Sequence, residues 1–523
     1  MRRVPTQRQS RKVFLIGALC VAAVLASPLC LAAEGEDTLL DDWHALYIGG
    51  AKTGYQHEEI RREVTGGTTR FRTRARQELT ISRANFQIRI AMDTEVVEDV
   101  DGRLIAFKHE TTQGPLSHTV EGVVEGDELV ITVSRGSNRT VRRVPAPRGL
   151  CPRAAWMLMR EKGLERGTRY AVQVFLAELP ERDVTMEVTV GEKEPVQLYE
   201  VTRTLHRMDV TTNILPGVPL TTWVDGEVTV WLSRVAFSPL IVVEMRKVPK
   251  EVALSPAEPA EMFFASLERT DKPIPNPRQL EYLELVLVRA EGVSAELHVP
   301  SDGYQQARET KAGLAVTIRR AHGDPAKSYT LPYAEAEHAD LLQPNQWLEI
   351  QDPLVAQMAR EAVGEEVDAL AAARRIESFV EKVITKKDMS MGTASAAETA
   401  EHKTGDCSEH AVLVAALARA AGIPSRVIGG LSCLGEVPGR QGGVFGYHMW
   451  AEVYVGEWLP LDAALGGHDA THLVLARTDL NGPGDLLDIV SGICQFLSKV
   501  KIKVVEARAQ AAAVSHAVGP TEG

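Results

Sequence analysis

The chain has 523 residues, of which 44% are apolar and 24% charged, with a formal net charge of −12 and six cysteines. The length exceeds what one hydrophobic core holds, about 250–300 residues, and the composition is that of a globular chain, so two or three domains are expected and disorder is excluded. The acidic balance makes nucleic acid and anionic membrane surfaces poor partners.

Residues 1–33 read as a secretory signal: Arg2, Arg3, Arg8, Arg11 and Lys12 lead into the apolar run Val13 to Leu31, followed by Ala32 and Ala33. Pro28 and the small-residue exit favour cleavage over an uncleaved anchor, which predicts an exported protein, periplasmic or extracellular, without a stable membrane span. Losing five positive charges and no negative ones takes the formal charge from −12 to −17. Four cysteines then remain, Cys151, Cys407, Cys433 and Cys494, too few for a disulfide scaffold. If Cys407 stays free, one bridge at most is available, with Cys433–Cys494 the first choice.

Residues 40–248 alternate apolar and polar side chains, as in Phe71-Arg72-Thr73-Arg74 and Phe86-Gln87-Ile88-Arg89-Ile90, with turn signals at Asp101-Gly102 and Asp225-Gly226. This predicts an antiparallel β-rich domain, with one helix over Arg153–Lys162 and a strand Val184–Val190 closed by Gly191. Residues 249–278 are rich in Pro, Ala and Glu and are expected to form a linker. A small β module follows at 279–345, then a catalytic domain at 346–482 and a C-terminal extension at 483–523. Within the catalytic part, Asp352-Pro353 is a helix start, and Val367, Leu370, Ile376, Phe379, Val380 and Val383 recur at helical spacing. A further helix starts after Asp406 and stops at Gly422-Ile423-Pro424. Strands follow over 426–431, 447–455 and 458–461.

Amide chemistry at a cysteine requires the thiolate, of which only a few per cent exists at neutral pH for a free thiol. Cys407 sits at a predicted helix N-terminus, where exposed backbone N–H groups and the dipole favour a negative charge. Asp406 is placed to cap that helix, although its own charge partly opposes the effect. A base must also hold the thiol proton and return it to the leaving amine; His448, on a strand and facing the same way as Trp450 and Glu452, is the candidate. Asp462, after the next strand, would fix the imidazole tautomer.

The runs Gly405-Asp406-Cys407-Ser408-Glu409-His410-Ala411, Arg419-Ala420-Ala421-Gly422-Ile423-Pro424, His448-Met449-Trp450-Ala451-Glu452-Val453-Tyr454 and Trp458-Leu459-Pro460-Leu461-Asp462 together resemble the transglutaminase-like superfamily of papain-type folds, in the same Cys, His, Asp order. The resemblance extends over Ala394 to Leu475 and includes Asp469-Ala470-Thr471-His472-Leu473. Residues 43–55 and Thr222 to Gly226 are similar to the β-rich region preceding this module in secreted bacterial members. What the resemblance implies is an α+β, papain-like catalytic domain preceded by an antiparallel β-rich domain, with Cys407, His448 and Asp462 catalytic and no cofactor or metal. The superfamily includes cross-linking enzymes, peptidases, amidases and members without the triad, so thioester chemistry is implied more firmly than any substrate.

Blander readings stand beside these. Trp450 and Trp458 suit the core, and Glu409 and His410 suit helix packing better than tuning of Cys407. His468 and His472, with Asp469, have a ligand-like spacing but no helix to align them. Asn138-Arg139-Thr140 is a glycosylation sequon only in a eukaryotic source.

Strand parity supplies a sharper expectation. A two-residue turn at Gly456-Glu457 would put Asp462 on the Ala451 face, away from His448, whereas a three-residue loop Val455-Gly456-Glu457 pairs Tyr454 with Trp458 and brings Asp462 to the His448 face. The reading is therefore an exported cysteine hydrolase or acyltransferase acting on a protein or peptide amide, with an odd loop after Tyr454. The alternative is a non-catalytic binding or assembly protein that keeps the fold.

Overall fold

The computed structural model describes residues 38–509 except 84–85, 137, 240, 262–265, 292–296, 302, 387–392, 436–442 and 482–484. The expected signal at 1–33, with Cys20 and Cys30, lies outside the described residues. Among those described, no helix is long and apolar enough to cross a membrane.

The β-rich region supplies fourteen strands of one 15-stranded sheet, the other being Ala260–Glu261. Eight strands from Thr38–Ile48 to Asn138–Pro145 each pair with the next, and six more, from Arg169–Val174 to Val242–Lys247, do likewise. The two meanders join where the first strand pairs antiparallel with the last, His44 opposite Lys247 and Ile48 opposite Val243. Alternation explains the sheet: Ile88 and Ile90 are fully buried, while outward-facing Arg72, Arg74 and Glu95 form a cross-strand ion cluster of modest energetic value. The predicted helix is present at Pro152–Lys162, and it packs on this sheet through Trp156. Gly191 does not end its strand, which runs on as Val184–Gln197; the register shifts between Val190 and Lys193, so the glycine marks a bulge.

The segment 249–278 departs from a free linker. Ala260 pairs with Ile81, Glu268–Arg269 pairs with Phe445 and Val444, and the Asp271 amide donates to the Ile502 carbonyl. Ile274, between two prolines, is buried in the main core. Prolines remove donors, yet alternate residues still supply enough bonds and apolar contact to hold the chain down.

The small β module is a four-stranded sheet whose central strand Leu280–Arg289 lies between Gly313–Arg319 and Val500–Ala509. Its last strand thus comes from the region read as a C-terminal extension, which also contributes the helix Asp485–Phe496. The part that follows contains a five-stranded sheet ordered Glu268–Arg269, Val444–Tyr454, Ser425–Cys433, Leu473–Thr478, with Trp458–Leu461 added along the second of these. Its predicted helical stretch is two helices, Pro353–Val363 capped by Asp352 and Ala369–Val383 capped by Asp368, and Val367 lies exposed between them. The expected Cys433–Cys494 bridge does not form: both cysteines are buried and unbridged, packing as small apolar groups.

Candidate active site

Cys407 is the first residue of the helix Cys407–Ala420, which packs along the strand Val444–Tyr454 that carries His448. The helix start is fastened by a capping box: the Asp406 carboxylate accepts from the Ser408 amide at 3.0 Å, and Glu409 turns back to accept from the Asp406 amide at 2.8 Å. Gly405 makes room for that return, since a Cβ there would meet the Glu409 side chain at 2.3 Å. Glu409 also accepts from the Ala394 amide at 3.1 Å, tying this turn to the segment before the helix Ala396–His402. Burial, with the Asp406 carboxylate beside it, pushes the Glu409 carboxyl up to about 8. His410 Nδ1 donates to the Asp406 carbonyl at 2.5 Å. Both side chains are buried, which excludes the helix surface as their place.

The loop after the histidine strand has the expected odd length. Tyr454 pairs with Trp458 and Ala451 with Leu461, and the Val455 amide closes onto the Glu457 carbonyl at 3.0 Å. Gly456 adopts a φ of 91°, and a Cβ on it would fall 1.9 Å from the Lys327 carbonyl oxygen, so both conformation and space require glycine. The register delivers Asp462 Oδ2 to His448 Nε2 at 2.7 Å. That bond takes Nε2 and leaves Nδ1 as the nitrogen able to exchange a proton with a thiol. Cys407, His448 and Asp462 are 0%, 2% and 1% exposed.

Asp462 is saturated with donors. Its Oδ1 accepts from the Ala464 and Leu465 amides at 2.9 and 3.2 Å, and Oδ2 is shared between His448 and His472 Nε2, the latter at 2.9 Å. Burial works against its charge, but the two imidazoles prevail and hold it well below the usual carboxylate range. The sequence reading missed this role of His472. Burial opposes its charge too, yet Asp469 and the bonds to Asp462 and Asp469 raise its pKa to about 9, which makes it an imidazolium at neutral pH. Asp469 in turn meets Arg278 Nη1 at 2.6 Å and accepts from the Thr471 amide at 2.7 Å. A line of paired polar groups therefore runs Arg278, Asp469, His472, Asp462, His448. The spacing Asp469-x-x-His472 was the available signal.

His448, Asp462 and His472 have the ligand chemistry of a metal site, and their donor atoms lie within 4.8 Å of one another. Their N–O separations of 2.7 and 2.9 Å are hydrogen-bond lengths. Donors bound tetrahedrally at about 2.0–2.1 Å would stand farther apart, so the set fits a proton-sharing array and not a metal cradle. His468, the other residue of the ligand-like spacing, is held neutral by burial and packs edge-on to Tyr304.

The β-rich sheet reaches this region. Gln113 accepts from the Thr393 amide at 3.2 Å, Arg135 pairs with Glu398 at 3.1 Å and stacks over Trp347, Leu116 packs on Ala394, and Phe86 packs on Leu434 and Val444.

Among solved structures, similarity is found to a candidate cysteine protease from Cytophaga hutchinsonii (13% identity, 44% of this chain and 86% of that one, TM-score 0.26). A β-barrel-like protein of a domain of unknown function from Brucella abortus also matches (13% identity, 40% and 96%, TM-score 0.28). A third is a candidate protease from Parabacteroides distasonis (11% identity, 70% and 68%, TM-score 0.20). No curated protein sequence matches significantly. The family model of the transglutaminase-like superfamily matches residues 356–463, the stretch that spans the cysteine helix, the histidine strand and Asp462. That part of the chain is a transglutaminase-like domain.

Proposed function

We propose that the chain is an exported cysteine-dependent acyl-transfer enzyme acting on amide or peptide bonds through a thioester. The observation that carries the reading is the 2.7 Å bond from His448 Nε2 to Asp462, on the strand against which the cysteine helix packs. Cys407 Sγ, as thiolate, attacks the amide carbonyl carbon; a C–S bond forms and the carbonyl oxygen becomes an oxyanion, toward which the Cys407 backbone N–H contributes. Collapse breaks the C–N bond, and the departing amine takes the proton held on His448. Water or a second amine then gives a proton to His448, attacks the thioester and releases Cys407 as thiolate. Asp462 stays ionised throughout and orients the imidazole. Water is the default acceptor, which favours hydrolysis over cross-linking.

A non-catalytic binding role has no use for the Asp462–His448 bond. The test is to treat the protein with a thiol-reactive probe beside Cys407→Ser, then to follow amide hydrolysis and the incorporation of a fluorescent amine side by side. Selective labelling lost in Cys407→Ser, with turnover of either kind, supports the proposal; labelling equal in both proteins overturns it.

A further inference from the structure

Between the inner face of the β-rich sheet and the helix Pro152–Lys162 lies an open-mouthed cavity of about 160 Å³. An apolar cavity of about 150 Å³ already takes up a small hydrocarbon, and this one is also open at its mouth. Its walls are apolar and adaptable: Met92, Met159, Met186 and Met208 line it together with Trp156. Four of the chain's 12 methionines thus face one space, and methionine surfaces conform to flexible hydrocarbon.

One patch of the wall gathers polar atoms that lack partners. Glu58 lies opposite Ala75 on the neighbouring strand, with Thr73 and Gln77 two residues to either side of that alanine, so the three polar side chains share a face around a small residue. All three line the cavity and are at most 4% exposed. Glu58 Oε2, Thr73 Oγ1 and Gln77 Oε1 each have no hydrogen-bond partner. A folded chain rarely leaves three such atoms unsatisfied side by side, and their grouping at the wall of an apolar space is what a ligand head would complete. All three can accept, and the Thr73 hydroxyl and a protonated Glu58 carboxyl can also donate, so a head that both donates and accepts, as a hydroxyl does, completes the group where one that only accepts leaves Gln77 Oε1 unpaired.

We propose that this cavity binds a single-chain amphiphile, its alkyl chain among the methionines and a hydroxyl- or amine-bearing head donating to Glu58, Thr73 and Gln77. Burial, reinforced by the nearby Asp42 carboxylate, raises the Glu58 pKa well above the ordinary value, so an uncharged hydroxylated head suits it at neutral pH and an ammonium head would ionise it. An amphiphile whose head only accepts has fewer bonds to make there.

The full chain is titrated with the environment-sensitive probe N-phenyl-1-naphthylamine, which is then displaced by 1-monolauroylglycerol, dodecylamine or dodecyl acetate. The expected result is saturable one-to-one uptake, with the first two ligands displacing the probe at least tenfold more tightly than the ester. Which of the two binds better decides between a hydroxylated and a cationic head. Glu58→Leu should keep the fold, with a melting temperature equal or higher because an unpartnered buried carboxyl is gone, and should reduce that preference at least fivefold. Met208→Arg, which puts a charge in the wall, should abolish uptake; if it fails to fold, Glu58→Leu still decides the matter. No saturable uptake, equal affinity for all three ligands, or an unchanged preference in Glu58→Leu would overturn the proposal. None of these readouts depends on Cys407.

Discussion

Replacing His472 by glutamine tests the charge on the imidazole that shares Asp462 with His448. An amide at that position can still donate to Asp462, but it cannot carry a positive charge. The folded-state pKa of His472 is raised from 6.5 to about 9, which corresponds to about 3 kcal/mol of stabilisation of the charged form. Because the folded value lies above the unfolded one, this contribution is complete below about pH 6.5 and disappears as the pH rises through about 9. Urea unfolding of the wild type and His472→Gln at several pH values between about 6 and 10 measures it. The wild type should be the more stable protein near pH 6, and its advantage should shrink by about 3 kcal/mol toward pH 10. A stability gap that stays constant over that range would refute the imidazolium assignment and leave His472 a neutral packing residue.

Other outcomes follow from the same geometry. Iodoacetamide should alkylate Cys407 first at neutral pH, since burial raises the Cys151 thiol far above its ordinary value and pushes Cys494 up to about 12; His448→Ala should slow the reaction, and a Cys407 rate no faster than that of Cys151 would count against an activated nucleophile. Cys407→Ala should abolish amide turnover with little change in melting temperature, and Asp462→Asn should lower kcat by about 10³–10⁴ through loss of tautomer control; turnover persisting in Cys407→Ala would sink the assignment. Gly456→Ala should destabilise the protein by at least about 1–3 kcal/mol, because φ is 91° and the Lys327 carbonyl occupies the Cβ position, and unfolding curves matching the wild type would contradict the loop geometry. Limited proteolysis should spare 268–278, which is bonded to the Val444–Tyr454 and Val500–Ala509 strands; an early cut there would restore the free-linker reading.

Much of the candidate site was legible because its logic is local. A capping residue before Cys407, a helix stop at Gly422, and the parity of Tyr454, Trp458 and Asp462 depend on positions close in sequence, where side-chain periodicity decides the outcome. The position of His472 depends on a loop folding back by ten residues, which no periodicity encodes. The linker was misread for a related reason: the prolines are visible in the sequence, but the cavity that accepts Ile274 and the carboxylate that accepts Arg278 are built from distant segments. The alternation in Val500-Lys501-Ile502-Lys503-Val504 marks a strand but cannot name Leu280–Arg289 as its neighbour. Nor can four cysteines be paired by spacing, and Cys433 and Cys494 stay unbridged although both lie in the main core.

The partnership between Leu280–Arg289 and Val500–Ala509 sets an order of events for a chain emerging from the ribosome. Until the final strand appears, one side of Leu280–Arg289 is an open ladder carrying Leu283, Leu285 and Leu287, all fully buried in the finished protein. The whole transglutaminase-like domain must be synthesised while that adhesive edge waits, and an exposed apolar strand edge is a template for wrong partners. A chain that stalls or is clipped before Val500 would therefore be more prone to aggregate than one shortened at its other end by the same length, and the C-terminal strand acts as a late quality mark on a completed molecule.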